Sequence, residues 1–473
     1  MKNKRVFFSV ILLLLISFTL LQTLFLVTTN TSSSNGLIKS FSKNIPLSTS
    51  DTKYPQHVEP TLAIGQNNEL YVGWKDALQP SSAGVDVSFT KSPANGTNWT
   101  IPVSMPSDIS SGGGSKSDAW MNVYNNTIYY SYLEYNNSDS AKTFSQVTMA
   151  KSSDGGINWS VSKASENKNF ADKETFIISK NGTIFLTYDD VNLYTGLGNV
   201  KLSKSINGGK NFTDISTVNQ YTPENILAPY PALSSNQTLF VAWLYINITD
   251  NFTGDVYYAY SNNGGLNFSN QHDLNPETNY GLSIGSNNAP GKSTIPVMRF
   301  DSNNRLYILW AEYNNNWKVY LRYSDNFGKD WSPKIPINDV NNVNQWEPDM
   351  AIDSQNNVHV IWYQESNGQY RPYYREISFS GVNRETLSMS AVIPVASAYT
   401  SSSFTRPGDY CTIRVDSNGV PQVVWTDGRT GSLNIYYAHE TSNLPVSSSP
   451  GFVYPVVVIT FFIILVTKKK SHH

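Results

Sequence analysis

The sequence predicts an all-β chain folded as a seven-bladed β-propeller. Three observations predict it: a strand that recurs with an aromatic anchor, the spacing of that anchor, and a glycine-containing turn at one fixed place in the repeat. The anchor strand reads ELYVGW to Trp74, TIYYSY to Tyr132, TIFLTY to Tyr188, TLFVAW to Trp243, RLYILW to Trp310, VHVIWY around Trp362 and PQVVWT around Trp425. The intervals are 58, 56, 55, 67, 52 and 63 residues. Alternating apolar positions rich in β-branched and aromatic residues, bounded by Asn and Gly turns, mark strands rather than helices. A sheet of three or four short strands cannot bury both faces alone, whereas sheets stacked around an axis can, and a period near 50 residues suits a propeller blade.

Each unit runs in the same order. An alternating first strand leads through an Asn or Gly turn into the anchor strand, then a third strand, the glycine-containing turn and a polar fourth strand such as WTIPVSMPS from Trp99 or WSPKIPIND from Trp331. The seventh unit reaches LNIYYAHE and then a Ser-rich stretch, so its fourth strand is missing. Asn44 to Ser50 (NIPLSTS) resembles that strand and is expected to complete the last blade, leaving no open edge.

Composition narrows the class. The 473 residues carry 34 Lys+Arg against 36 Asp+Glu, a net charge of −2, which excludes a phosphate-neutralising basic face and hence a nucleic-acid partner. With 40% hydrophobic and 13% aromatic residues the chain can bury a large core. A lone cysteine, Cys411, and six scattered histidines favour neither a disulfide framework nor a metal centre, and no metal or cofactor is expected.

The ends place the propeller outside the cell. Residues 1–28, basic and then apolar from Val6 to Val27, read as a signal peptide or signal anchor, followed by a linker over 29–42. The propeller occupies 43–440 and a second linker 441–451. Residues 452–467 are apolar and are followed by Lys468, Lys469 and Lys470, which reads as a transmembrane helix with a cytoplasmic tail over 468–473. A cell-membrane protein with one or two spans and its propeller facing outward follows. Twelve N-x-S/T sequons agree with export: Asn30, Asn95, Asn98, Asn125, Asn136, Asn158, Asn181, Asn211, Asn236, Asn247, Asn251 and Asn267. All precede residue 268, while nine of ten arginines lie from Arg299 onward. Glycans would therefore cover the rims of the first four blades and leave the later blades bare for a partner.

The turn Ser152 to Trp159, SSDGGINW, fits S-x-D-x-G-x-x-W, and variants begin at Ser92, Ser205, Ser261 and Ser324. Five copies in register resemble the Asp boxes (BNR repeats) of sialidase-like β-propellers, as does the closing pair Arg406-Pro407-Gly408-Asp409-Tyr410 and Trp425-Thr426-Asp427-Gly428-Arg429. The resemblance implies that these turns are structural and lie on the outer rim, and it brings a six-bladed sialidase fold into view as the alternative. It also implies a test of activity. Sialidases hold their substrate's carboxylate with an arginine cluster, whose first member sits in an F-R-I-P motif; here the matching segment is His57-Val58-Glu59-Pro60, and no arginine occurs between Arg5 and Arg299. The sialidase arginine motif is not matched.

Comparison of units selects the candidate residues. Asp76, Glu134, Asp190, Glu312 and Asp427 recur two positions beyond the anchor, which suits a structural role. Arg299 and Arg414 stand in first strands where other units carry Ala63, Met121, Ile177, Ala232 and Ala351, and such cations would enter the central channel or pair with a neighbouring carboxylate. At the start of the same strands, Glu59, Asp118, Asp172, Lys173, Glu174, Glu347, Arg406 and Asp409 are expected at one mouth of the ring, with Trp120, Tyr230, Trp346 and Tyr410 available to stack on sugars. Two functions fit: a non-catalytic surface protein binding an extracellular glycan or another surface protein, and an exo-sialidase or other glycoside hydrolase using paired carboxyls.

Overall fold

The computed structural model describes residues 38–443 except 80–83, 95, 110–113, 136–143, 167–168, 221–225, 248–252, 277–293, 339, 341, 402 and 405–406. Both expected membrane segments, 1–28 and 452–467, lie outside these residues. Among the described residues no helix is long and apolar enough to cross a membrane.

Ser40 to Thr441 forms one compact unit of seven antiparallel sheets, so the propeller has seven blades rather than six. Blade one, for example, runs Gln56–Ile64, Leu70–Ala77, Gly84–Ser92 and Val103–Ser104 from axis to rim. The inner strands of the others are Ser115–Tyr124, Phe170–Ile178, Ile226–Leu233, Val297–Phe300, Asn344–Ile352 and Thr412–Val415. Blade six has a long third strand, Gln369–Ser380, that carries three short outer strands in place of one.

The anchors explain why each second strand is buried on both faces. Trp74, Tyr132, Tyr188, Trp243, Trp310, Trp362 and Trp425 are all fully buried, and each such aromatic contributes roughly 2–3 kcal/mol of apolar transfer. The acid two residues on satisfies the buried indole: Trp74 Nε1 donates to Asp76 Oδ1 at 2.8 Å, Trp310 Nε1 to Glu312 Oε2 at 3.0 Å and Trp425 Nε1 to Asp427 Oδ2 at 3.0 Å. Where the anchor is Tyr132, Glu134 instead accepts from the Asp108 amide and the Thr148 hydroxyl.

The N-terminal segment closes the ring. Ile45–Pro46 pairs with Tyr437 and Tyr436 of the last strand, Asn434–Asn443. Leu47 N donates to Ile435 O at 2.8 Å, and buried Leu47 joins a core shared by blades seven and one. Asn44 ties the join to blade six by donating to Val395 O at 3.1 Å and accepting from Ser397 N at 2.7 Å.

The rim turns repeat one hydrogen-bond pattern. Asp154 Oδ1 accepts from the amides of Ile157 and Asn158, each at 3.0 Å, and Ser152 Oγ from Gly156 N at 2.8 Å. Gly156 is required twice over: its φ is +82°, and a Cβ would lie 2.5 Å from the Phe89 ring of the preceding blade. Lysines latch successive turns to the blade before, with Lys91 donating to Gly155 O at 2.6 Å, Lys151 to Gly208 O at 3.0 Å and Lys204 to Gly264 O at 3.0 Å. Asn98, Asn158, Asn211 and Asn267 are exposed on these rim turns, and Asn125, Asn181 and Asn236 are exposed on inner hairpins. Asn95, Asn136 and Asn251 lie outside the described residues; Asn247 ends the second strand of blade four.

Candidate functional site

Strand register makes the blades comparable residue by residue. Thr61, Trp120, Thr175, Tyr230, Val297, Asp349 and Thr412 each pair with the residue preceding a second-strand anchor. Two residues earlier the inner strand bulges in blades one, two, three, four and six. The bulges hold Glu59, Asp118, Lys173, Ala228 and Glu347 in the left-handed region, with φ of 57°, 42°, 49°, 59° and 48°. Such backbone costs on the order of 1–3 kcal/mol per residue and re-aims the side chain. Four of these five residues are charged.

The bulges bring the charges to the axis. Lys173 of blade three bonds Asp118 of blade two at 3.0 Å and also Asp409 of blade seven, a contact across the ring. Tyr410 crosses from blade seven to blade two, where its hydroxyl accepts from Ala119 N at 2.7 Å and donates to Ala119 O at 3.0 Å. Lys75 Nζ donates to Glu59 Oε1 at 2.5 Å. Carboxylate oxygens of Glu59, Asp118 and Asp409 approach within 4.8 Å of one another; the Lys173 ammonium pairs with Asp118 and Asp409, and Lys75 with Glu59.

Burial and neighbouring charge push the carboxyls apart. Burial, reinforced by Asp118 and Asp409 and only partly offset by Lys75, raises Glu59 to about 8. Burial would raise Asp118 as well, but Lys173 and Lys75 outweigh it and hold Asp118 at about 2. Burial lifts Asp172 to about 6 despite Lys173. Glu174 and Asp189 rise well above the usual carboxylate range for the same reason, and burial together with the nearby carboxylates drives the Tyr410 phenol far upward. A cavity of about 10 Å³, lined by Asp118, Trp120, Lys173, Glu174 and Tyr410 among others, adjoins the cluster; it has room for one water.

The mouth expected from sequence thus assembles Glu59, Asp118, Asp172, Lys173, Glu174, Asp409 and Tyr410. Glu347 is set apart: its carboxyl acts on Tyr363, Tyr370 and Cys411. Arg406 lies outside the described residues. Trp346 is core, packed against Tyr363 and Tyr370. Lys75 and Asp189 were missed, although they are the charged residues among the seven that follow an anchor, a singularity visible in the sequence. Asp189 Oδ2 accepts from Ala228 N at 2.8 Å and so braces a left-handed bulge.

Arg299 and Arg414 belong to the opposite end of the inner strands, four residues beyond the bulge position. They line an axial cavity of about 310 Å³ and share one carboxylate, Asp349, at 3.8 Å from Arg299 Nη2 and 2.9 Å from Arg414 Nη1. Their equivalent in blade two is Asn122, which pairs with Tyr129, rather than Met121. The inner hairpin of that blade is one residue shorter: Val123 pairs with Ile128, whereas Ile64 pairs with Leu70. Counting back the same distance from the anchor therefore goes one residue too far, to Met121.

No protein-family model matches this chain, and no curated protein is similar to it in sequence. Solved structures do share its fold. An ulvan lyase of polysaccharide lyase family PL25 aligns with a TM-score of 0.53 at 11% identity, over 81% of this chain and 94% of that one. The GH93 α-L-arabinofuranosidase of Fusarium graminearum aligns at 0.49 and 11% identity over 85% and 98%, and the Hadza microbial sialidase Hz136 at 0.48 and 14% identity over 66% and 64%. The likeness to the ulvan lyase shows the fold alone, and the chain has it as a β-propeller of seven blades.

Proposed function

We propose that this protein cleaves a glycosidic linkage in an extracellular carbohydrate, with Glu59 as the general acid and Asp118 as its ionised partner, and that a C-terminal span holds it at the cell surface with its first four blades glycosylated. The observation that carries the reading is the pair of adjacent carboxyls driven to about 8 and about 2. A group near 8 is neutral at pH 7 and can protonate a leaving oxygen, while a group near 2 is an anion that can stabilise the developing oxocarbenium charge or attack it. Tyr410 is a positioning residue here, clamping the Ala119 backbone beside Asp118. Because the cation among the carboxylates is a lysine point charge rather than a bidentate arginine, sialic acids are not the favoured substrate.

A non-catalytic glycan- or protein-binding role is the second reading. It is favoured by the small size of the cavity beside the cluster. A panel of chromogenic glycosides and soluble polysaccharides separates the two. Turnover by the wild type that Glu59→Gln and Asp118→Asn abolish, with folding intact, supports the hydrolase. Binding on a glycan array without turnover of any substrate supports the binder and overturns the hydrolase.

A further inference from the structure

We infer that the axial cavity toward the other end of the inner strands, separated from the carboxyl cluster by Trp120 and Thr175, is a binding site for a small oxyanion, a carboxylate or a sulfate. The inference is independent of the proposed catalysis. Arg299 and Arg414 both reach this cavity, with side chains 26% and 18% exposed, and the carboxylate bonded to them is the single Asp349. Two guanidiniums against one carboxylate leave an excess positive charge at the wall of a partly enclosed space.

The guanidiniums are held rather than free to swing. Arg299 Nε donates to Met350 O at 2.6 Å and its Nη2 to Tyr230 Oη at 2.9 Å. Arg414 Nη1 donates to Ile413 O at 2.6 Å, and the group lies over the Trp120 ring at 5.3 Å. These bonds fix two planar forks, and they leave Arg299 Nη1 and Arg414 Nε and Nη2 without a hydrogen-bond partner among the described residues. A planar carboxylate or a sulfate matches the Nε–Nη2 edge of Arg414 by paired charge-assisted hydrogen bonds, with Arg299 Nη1 as a further donor. Burial and the charge of Arg299 together disfavour the cation at Arg414, and a bound anion would relieve this. At about 310 Å³ the cavity accommodates one acidic monosaccharide or a smaller anion, with Asn122 as a neutral polar wall.

The test is a thermal-shift and calorimetric titration of the intact protein with sodium sulfate, sodium glucuronate, glucose and sodium chloride at constant ionic strength. Stabilisation by sulfate identifies an inorganic-type oxyanion site, and stabilisation by glucuronate but not glucose identifies an acidic-sugar site; either supports the inference. Arg414→Gln should weaken binding at least tenfold. Since that change also removes a bond to Asp349, Asn122→Asp is the second variant: it adds a negative wall without changing size and should weaken binding to a similar extent. Absence of any shift with the wild type, equal shifts with chloride, or binding that survives both variants would overturn the inference.

Discussion

Glu59 gives the account its sharpest quantitative consequence. Its ordinary value is 4.5, and in the folded protein it titrates at about 8. Between these values the folded state keeps a proton that the unfolded chain has released, so stability is complete below about pH 4.5 and is lost as pH rises through 8. The ceiling on that loss is about 5 kcal/mol. Asp172, raised from 3.8 to about 6, adds to the loss but has finished titrating by about pH 7. Asp118 acts in the opposite sense, withdrawing stability only as pH falls from 3.8 toward 2. Glu174, Asp189 and Asp255 are raised by burial as well, so over pH 6 to 9 Glu59 is read as the difference between the wild type and a variant that cannot titrate at that position. Glu59→Gln keeps the size, offers Lys75 an amide oxygen and removes the titration. Urea unfolding at pH 6, 7, 8 and 9 should show the wild type losing roughly 2–3 kcal/mol more than the variant. Parallel curves for the two proteins would refute the raised carboxyl and with it the acid assigned to the site.

Three further outcomes are expected. Deleting residues 43–50 removes buried Leu47 and the bonds from Asn44, Ile45 and Ser48 that join blade seven to its neighbours; the ring should lose at least roughly 5 kcal/mol, and unchanged thermal unfolding would refute the closure. Gly73→Ala places a Cβ 2.1 Å from the hydroxyl of fully buried Tyr130, which reaches across to Ser88 O at 3.0 Å, so denaturant titration should show a loss of about 1–3 kcal/mol. Mass-spectrometric mapping of the sequons should find glycans at exposed rim positions such as Asn98, Asn158, Asn211 and Asn267, all in blades one to four; unoccupied rim sites would end the idea that glycans leave the later blades as the bare face.

The fold was legible because its determinants are local and repeated. A Trp or Tyr at one period, an acid two residues on to meet the indole, and Ser-Asp or Ser-Asn turns ending in glycine all recur wherever a blade must solve the same packing problem. Closure was legible for the converse reason, since one unit lacked a strand that the N-terminus could supply. Much of the site was visible as singular charges on inner strands, yet its organisation was not. Nothing in the sequence at Glu59 or Lys173 announces a left-handed bulge, because the residues there are not the Gly, Asn or Asp that usually signal positive φ. Contacts such as Lys173 with Asp409 span more than 230 residues and exist only once the ring has closed. Met121 was mistaken for Asn122 because a one-residue difference in a hairpin is invisible to a count made from the anchor. Asp349, which decides how Arg299 and Arg414 are held, looked like one more acid.

The most direct measurement is the pH dependence of kcat/KM on whichever glycoside the wild type turns over. Glu59 as the general acid predicts a rate that falls tenfold per pH above about 8, together with loss of turnover in Glu59→Gln. A rate that stays level to pH 10, or a Glu59→Gln variant with wild-type activity, would contradict it.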